Sequence, residues 1–126
     1  MPGLGTSLGR GGATTAPGDL VNSDAILIDC LTLFGANLME AYSSNAAGLE
    51  ACVEDLCSAL KATHCKVILV SNEVGSGVVP AYALGRRFRD LVGEINQRVA
   101  AVADSVVLMV AGLPLPVKGS LDGGDR

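Results

Sequence analysis

Three short apolar runs constrain this chain more than anything else in it: residues 25–30 (AILIDC), 66–71 (KVILVS) and 105–111 (SVVLMVA). Each is β-branched and nearly continuous rather than alternating, the pattern of strands covered on both faces. The segments between them repeat at a helical period instead. Leu49, Val53, Leu56 and Leu60 make one stripe of a helix expected over residues 46–63. Leu84, Phe88, Leu91, Val92, Ile95, Val99 and Val102 make the stripe of a second, over residues 84–103. The expected order is β, α, β, α, β, an α/β fold with right-handed crossovers and a parallel sheet.

At 126 residues the chain holds one domain with a real core. Apolar residues make up 49%, too many for a disordered chain, while aromatics are only 3%, so the core must be built from Val, Leu, Ile and Ala. A net charge of −4 leaves no electrostatic footprint for nucleic acid or an anionic membrane. No apolar run approaches the roughly 20 residues of a spanning helix, and the N-terminus shows no signal pattern. The expectation is a soluble, cytoplasmic protein. Cys30, Cys52, Cys57 and Cys65 form no CxxC pair and His64 is the single histidine, so the cysteines read as reduced core residues rather than metal ligands.

Residues 1–23 hold six glycines and two prolines with no hydrophobic period, and are expected to be a flexible tail. Residues 120–126 read the same way. The expected folded unit is 24–119.

The chemistry concentrates where strands end. Asp29 closes the first apolar run, the form of a Walker B acid that binds Mg²⁺ directly or through water. An Asp there is as often a turn or helix-capping residue, although Thr32 could take that role. Asn72 and Glu73 follow the second run in the same way. If the two strands are parallel neighbours, both groups emerge on one rim, where paired carboxylates hold a metal or orient a nucleophile. The bland alternative is that Asn72 and Glu73 satisfy loop backbone groups. Gly75 and Gly77 permit a tight loop or close ligand approach, and Pro80 stiffens its exit. Arg86, Arg87 and Arg89 form a basic cluster suited to phosphate oxygens, yet Arg86–Asp90 and Glu94–Arg98 are helical i,i+4 pairs that favour a solvated face. Arg89 and Asn96 share a flank of the helix and are the stronger functional candidates.

The blocks DCLTLFGANLM (29–39), VILVSNEVGSGVVP (67–80), RRFRDLVGEINQRVA (86–100) and VVLMVAGLPLPVKG (106–119) resemble the bifunctional adenosylcobinamide kinase/adenosylcobinamide-phosphate guanylyltransferase family. The resemblance covers residues 24–118. It implies a three-layer, P-loop (RecA-like) α/β domain, incomplete at its N-terminus, that works as a homo-oligomer. It also implies phosphorylation of adenosylcobinamide and transfer of GMP from GTP to adenosylcobinamide phosphate, with GTP or ATP and Mg²⁺ as the nucleotide and metal. On this resemblance Asp29 acts at the nucleotide or its Mg²⁺. Thr32, Asn72, Glu73, Arg89 and Asn96 accompany it as nucleotide-binding residues, with Gly75, Gly77 and Pro80 shaping the loop. Glu73 is the candidate catalytic carboxylate.

Two family features have no counterpart among the 126 residues. The GxxxxGK[ST] loop is missing: the nearest imitation, GTSLGRGG (5–12), has different spacing and Arg10 in place of Lys. The histidine that accepts GMP should precede the DCLT block, whereas His64 follows it, at the expected end of the 46–63 helix. Losing three charge-assisted bonds to phosphate would cost about 4.5–9 kcal/mol, roughly three to six decades of affinity. The competing expectation is therefore a non-catalytic module that docks on a complete subunit.

Overall fold

The computed structural model describes residues 25–74 and 80–120. Along them run β1 (Ala25–Asp29), α1 (Leu31–Ala41), α2 (Ala46–Ala62), β2 (Lys66–Val70), α3 (Ala83–Val102), β3 (Val106–Val110) and β4 (Leu113–Lys118). The expected tail 1–23 lies outside the described residues.

β1 and β2 pair in parallel, with Ala25 opposite Lys66 and Asp29 opposite Val70. The α/β expectation with a parallel sheet holds for these two strands. Their cover differs from the expectation. Burial alternates along both, leaving Leu27, Ile68 and Val70 exposed while Ile28 is buried. Among the described residues one face of this sheet rests on helices and the other is bare.

The third apolar run also departs from expectation. β3 joins no parallel sheet among the described residues; it pairs antiparallel with β4, in a separate two-stranded sheet. The hairpin itself follows from the Ala111–Gly112 connection, where both residues take positive φ (51° and 77°). Such a two-residue link matches the twist of a hairpin and returns the chain at once.

The core lies between the helices. Leu31, Phe34 and Leu38 of α1, Cys52, Val53 and Leu56 of α2, and Ile95 and Val99 of α3 form one buried cluster, with Leu69 of β2 packed against it. Burying each such side chain stabilises by about 1.5–3 kcal/mol, so helix packing outweighs the few bonds of a two-stranded ladder. α1 and α3 approach closely at Gly35, where an added Cβ would lie 3.1 Å from Val92 Cγ2. Asn45 caps α2, its side chain accepting from the Gly48 N–H at 3.0 Å. The helix ends one residue earlier than expected, at Ala62, and His64 lies exposed beyond its Thr63 cap.

Candidate functional site at the strand ends

The parallel register brings the carboxyl ends of β1 and β2 side by side, the rim where open α/β sheets bind ligands. Asp29 stands exposed at the tip of β1. Thr32 follows in the first turn of α1, and its hydroxyl accepts the Asn72 N–H at 3.2 Å. It therefore ties the two strand exits together and does not cap α1, whose N-cap is Cys30 without a side-chain bond.

Asn96 comes to the same place from α3. Its amide nitrogen donates to the Asn72 carbonyl at 2.9 Å, and its amide oxygen accepts from the Ser71 hydroxyl at 2.5 Å. Thr32, Ser71, Asn72 and Asn96 thus form one hydrogen-bonded knot that fixes the exit of β2. Networks of this kind rigidify when every member is satisfied. Ser71 was not among the residues expected at the site. Its signal was available: a hydroxyl immediately before the Asn-Glu exit.

Glu73 is exposed just past the knot, three positions beyond Val70, the register partner of Asp29. Arg89 is half-buried on α3. It lies seven residues before Asn96, two turns along the same helical face and about 10 Å away along the axis. Arg87 is placed elsewhere, in an open groove of about 240 Å³ with Met39, Leu49 and Asp90. Arg86 does not pair with Asp90 among the described residues; it donates to the Pro80 carbonyl at 3.1 Å, closing the entry to α3. Arg98 takes Glu50 and Glu54 of α2 as its main partners, with Glu94 at 3.9 Å. Burial opposes the charge of Arg98, but its bonds to Glu50 and the field of Glu54 outweigh that and raise its pKa. Gly75 and Gly77 lie outside the described residues.

A second open groove of about 390 Å³ runs between α1 and the start of α3, walled by Met39, Tyr82, Leu84 and Phe88. Neither groove is lined by Asp29, Thr32, Asn72 or Glu73. The rim is an open, polar edge.

Residues 13–117 match the model of the cobinamide kinase / cobinamide phosphate guanyltransferase family. The chain belongs to this family. It is similar to the bifunctional adenosylcobalamin biosynthesis protein CobU of Salmonella typhimurium, 40% identical over 116 residues, covering 83% of this chain and 64% of the relative. The CobU of Escherichia coli is 33% identical over 111 residues, covering 79% and 61%. The CobP of Pseudomonas aeruginosa is 42% identical over 94 residues, covering 75% and 53%. The chain spans between about half and two-thirds of the length of these curated relatives. The family match includes every rim residue, from Asp29 to Asn96.

Among the described residues no three His, Cys, Asp or Glu side chains gather as a metal cluster. No helix of the described residues is long and apolar enough to cross a membrane.

Proposed function

We propose that the rim at Asp29 is the nucleotide-facing edge of a cobinamide kinase/cobinamide phosphate guanylyltransferase. On this reading the protein phosphorylates adenosylcobinamide and passes GMP from GTP to adenosylcobinamide phosphate. The observation that carries the reading is the Thr32–Asn72–Asn96 knot, which sets the carboxyl ends of two parallel strands beside each other in a member of this family.

Asp29 would hold Mg²⁺ through one carboxylate, and the bound ion would neutralise charge on the phosphates. Thr32 and Asn96 fix the backbone at the exit of β2, from which the Asn72 and Glu73 side chains would serve the rim. Glu73 is suited to accept a proton from an attacking hydroxyl. Arg89, two turns from the knot along α3, would meet phosphate oxygens with its guanidinium fork. Gly75, Gly77 and Pro80 would shape the loop between them. The parallel register and the family match support a three-layer P-loop (RecA-like) type for the domain, working as a homo-oligomer. Four free cysteines agree with a reducing, cytoplasmic setting.

Calorimetric titration of GTP–Mg²⁺ into the chain tests the reading. Micromolar binding that weakens at least tenfold in Asp29→Ala is the expected result. A second reading rests on a separate observation: no GxxxxGK[ST] loop occurs among the 126 residues. A folded chain with no GTP binding would favour a non-catalytic module that docks on a complete subunit. Co-purification with a longer relative would then support it.

A further inference from the structure

Ser71 stands where the pattern of its own strand calls for an apolar residue. Along β2 and its exit, Val67, Leu69 and Ser71 are partly covered while Lys66, Ile68 and Val70 are exposed. Leu69 packs on the helical core, so Ser71 continues the covered face. What meets it from α3 breaks a pattern too. Asn96 lies four residues after Val92 and three before Val99, both of them buried. Two polar side chains thus face each other where an apolar pair of similar shape would serve stability about as well.

What the polar pair adds is direction. The Asn96 amide is bonded at both ends. Its oxygen accepts the Ser71 hydroxyl at 2.5 Å, and its nitrogen donates to the Asn72 carbonyl at 2.9 Å. One bond would let the amide swing about its terminal torsion, which is broad for an asparagine, whereas two bonds to adjacent residues stop it. The Asn72 carbonyl belongs to the peptide plane that leads into Glu73, and such a plane is rigid. The plane on the other side of Asn72 is held through its N–H, which donates to the Thr32 hydroxyl at 3.2 Å. Both soft torsions of Asn72 are therefore fixed, one plane from α1 and the other from α3.

We infer that Ser71 is a positioning residue, whose hydroxyl locks the Asn96 amide and through it sets the peptide that carries Glu73 onto the rim. Its service to nucleotide chemistry rests on the function proposed above; the locking itself does not. Ser71 acts on a ligand only by way of Asn96, so removing either group should have one and the same effect.

Ser71→Thr keeps the hydroxyl, and Ser71→Val replaces it with a methyl group of the same shape, so the two variants isolate the bond. In nitrogen–proton correlation spectra the two Nδ2 protons of Asn96 should be well separated in the unaltered chain and in Ser71→Thr, because one of them is held by a carbonyl. In Ser71→Val they should draw together, and the Asn72 amide should exchange about fivefold faster, the loss of about one hydrogen bond. Ser71→Val combined with Asn96→Leu should melt within a few degrees of the unaltered chain, yet exchange the Asn72 amide no more slowly than Asn96→Leu alone. GTP–Mg²⁺ affinity should fall about fivefold in Ser71→Val and be restored in Ser71→Thr. Equal behaviour of the Thr and Val variants overturns the proposal. So does a further acceleration of Asn72 exchange when Ser71→Val is added to Asn96→Leu, which would mean that Ser71 acts without Asn96. An unaltered chain that binds no GTP sinks the nucleotide reading alone, and the amide signals still decide on Ser71. Should Ser71→Val fail to fold, Ser71→Ala takes its place in each comparison.

Discussion

A methyl group on Gly93 would meet nothing within 4 Å, while one on Gly35 would press 3.1 Å from Val92 Cγ2. Both glycines sit inside helices, where alanine is favoured by about 1 kcal/mol. Gly93→Ala should therefore raise stability by about that amount. Gly35→Ala should lower it by about 1 kcal/mol, because Val92 is fully buried and cannot yield, and overpacking exceeds the propensity gain. Chemical denaturation of the two variants should give midpoint shifts of opposite sign. At this scale the core was readable: Val53, Leu56, Val92, Ile95 and Val99 follow a period that the sequence displays openly. The role of Thr32 was not, because its partner lies 40 positions away and no local pattern records it.

Two polar side-chain contacts join one helix to the next. Arg98 reaches from α3 to α2 with 2.7 Å bonds to Glu50 and to Glu54. Both acids are exposed, so the bridge contributes about 1 kcal/mol or less and is weakened by salt. Arg98→Ala should cost that much at low ionic strength, and the deficit should shrink in about 1 M salt, as followed by thermal melts. Tyr42, between α1 and α2, has its hydroxyl 3.3 Å from the Cys52 sulfur; hydrogen bonding that holds the phenol proton against this sulfur, together with the charge of Cys52, raises the Tyr42 pKa above the usual phenol value. The folded state then holds the proton more tightly than the unfolded chain. The stabilisation is complete below the ordinary tyrosine pKa of about 10 and is lost as pH climbs through the folded value. Unfolding curves above about pH 10 should show the decline, and Tyr42→Phe should flatten it. The sequence misled at the element scale in identifiable places. Residues 31–41 carry Leu31, Phe34 and Leu38 at helical spacing, but a central glycine and Asn37 obscure the pattern. β4 contains two prolines, which read against a strand unless it lies at an edge.

For the whole molecule, the decisive arrangement is the meeting of β1, β2 and α3 at one rim. The parallel neighbours could be anticipated from the continuous apolar runs, and with them the shared edge of Asp29 and Glu73. The knot could not, since it depends on how α3 crosses the sheet. Asn96→Ala should loosen the β2 exit, leaving far-ultraviolet circular dichroism near normal while GTP–Mg²⁺ affinity falls about tenfold, the loss of one to two hydrogen bonds. At the other end of α3, the Lys118 ammonium donates to the carbonyls of Ala100 and Ala101 at 2.9 and 3.1 Å, supplying the positive charge that the last helical turn otherwise lacks. That contact couples the fate of the helix terminus to the hairpin. The two should open as one sub-global unit, detaching together while the three-helix core keeps its protection, so that the C-terminal part of the fold can be gained or lost without global unfolding.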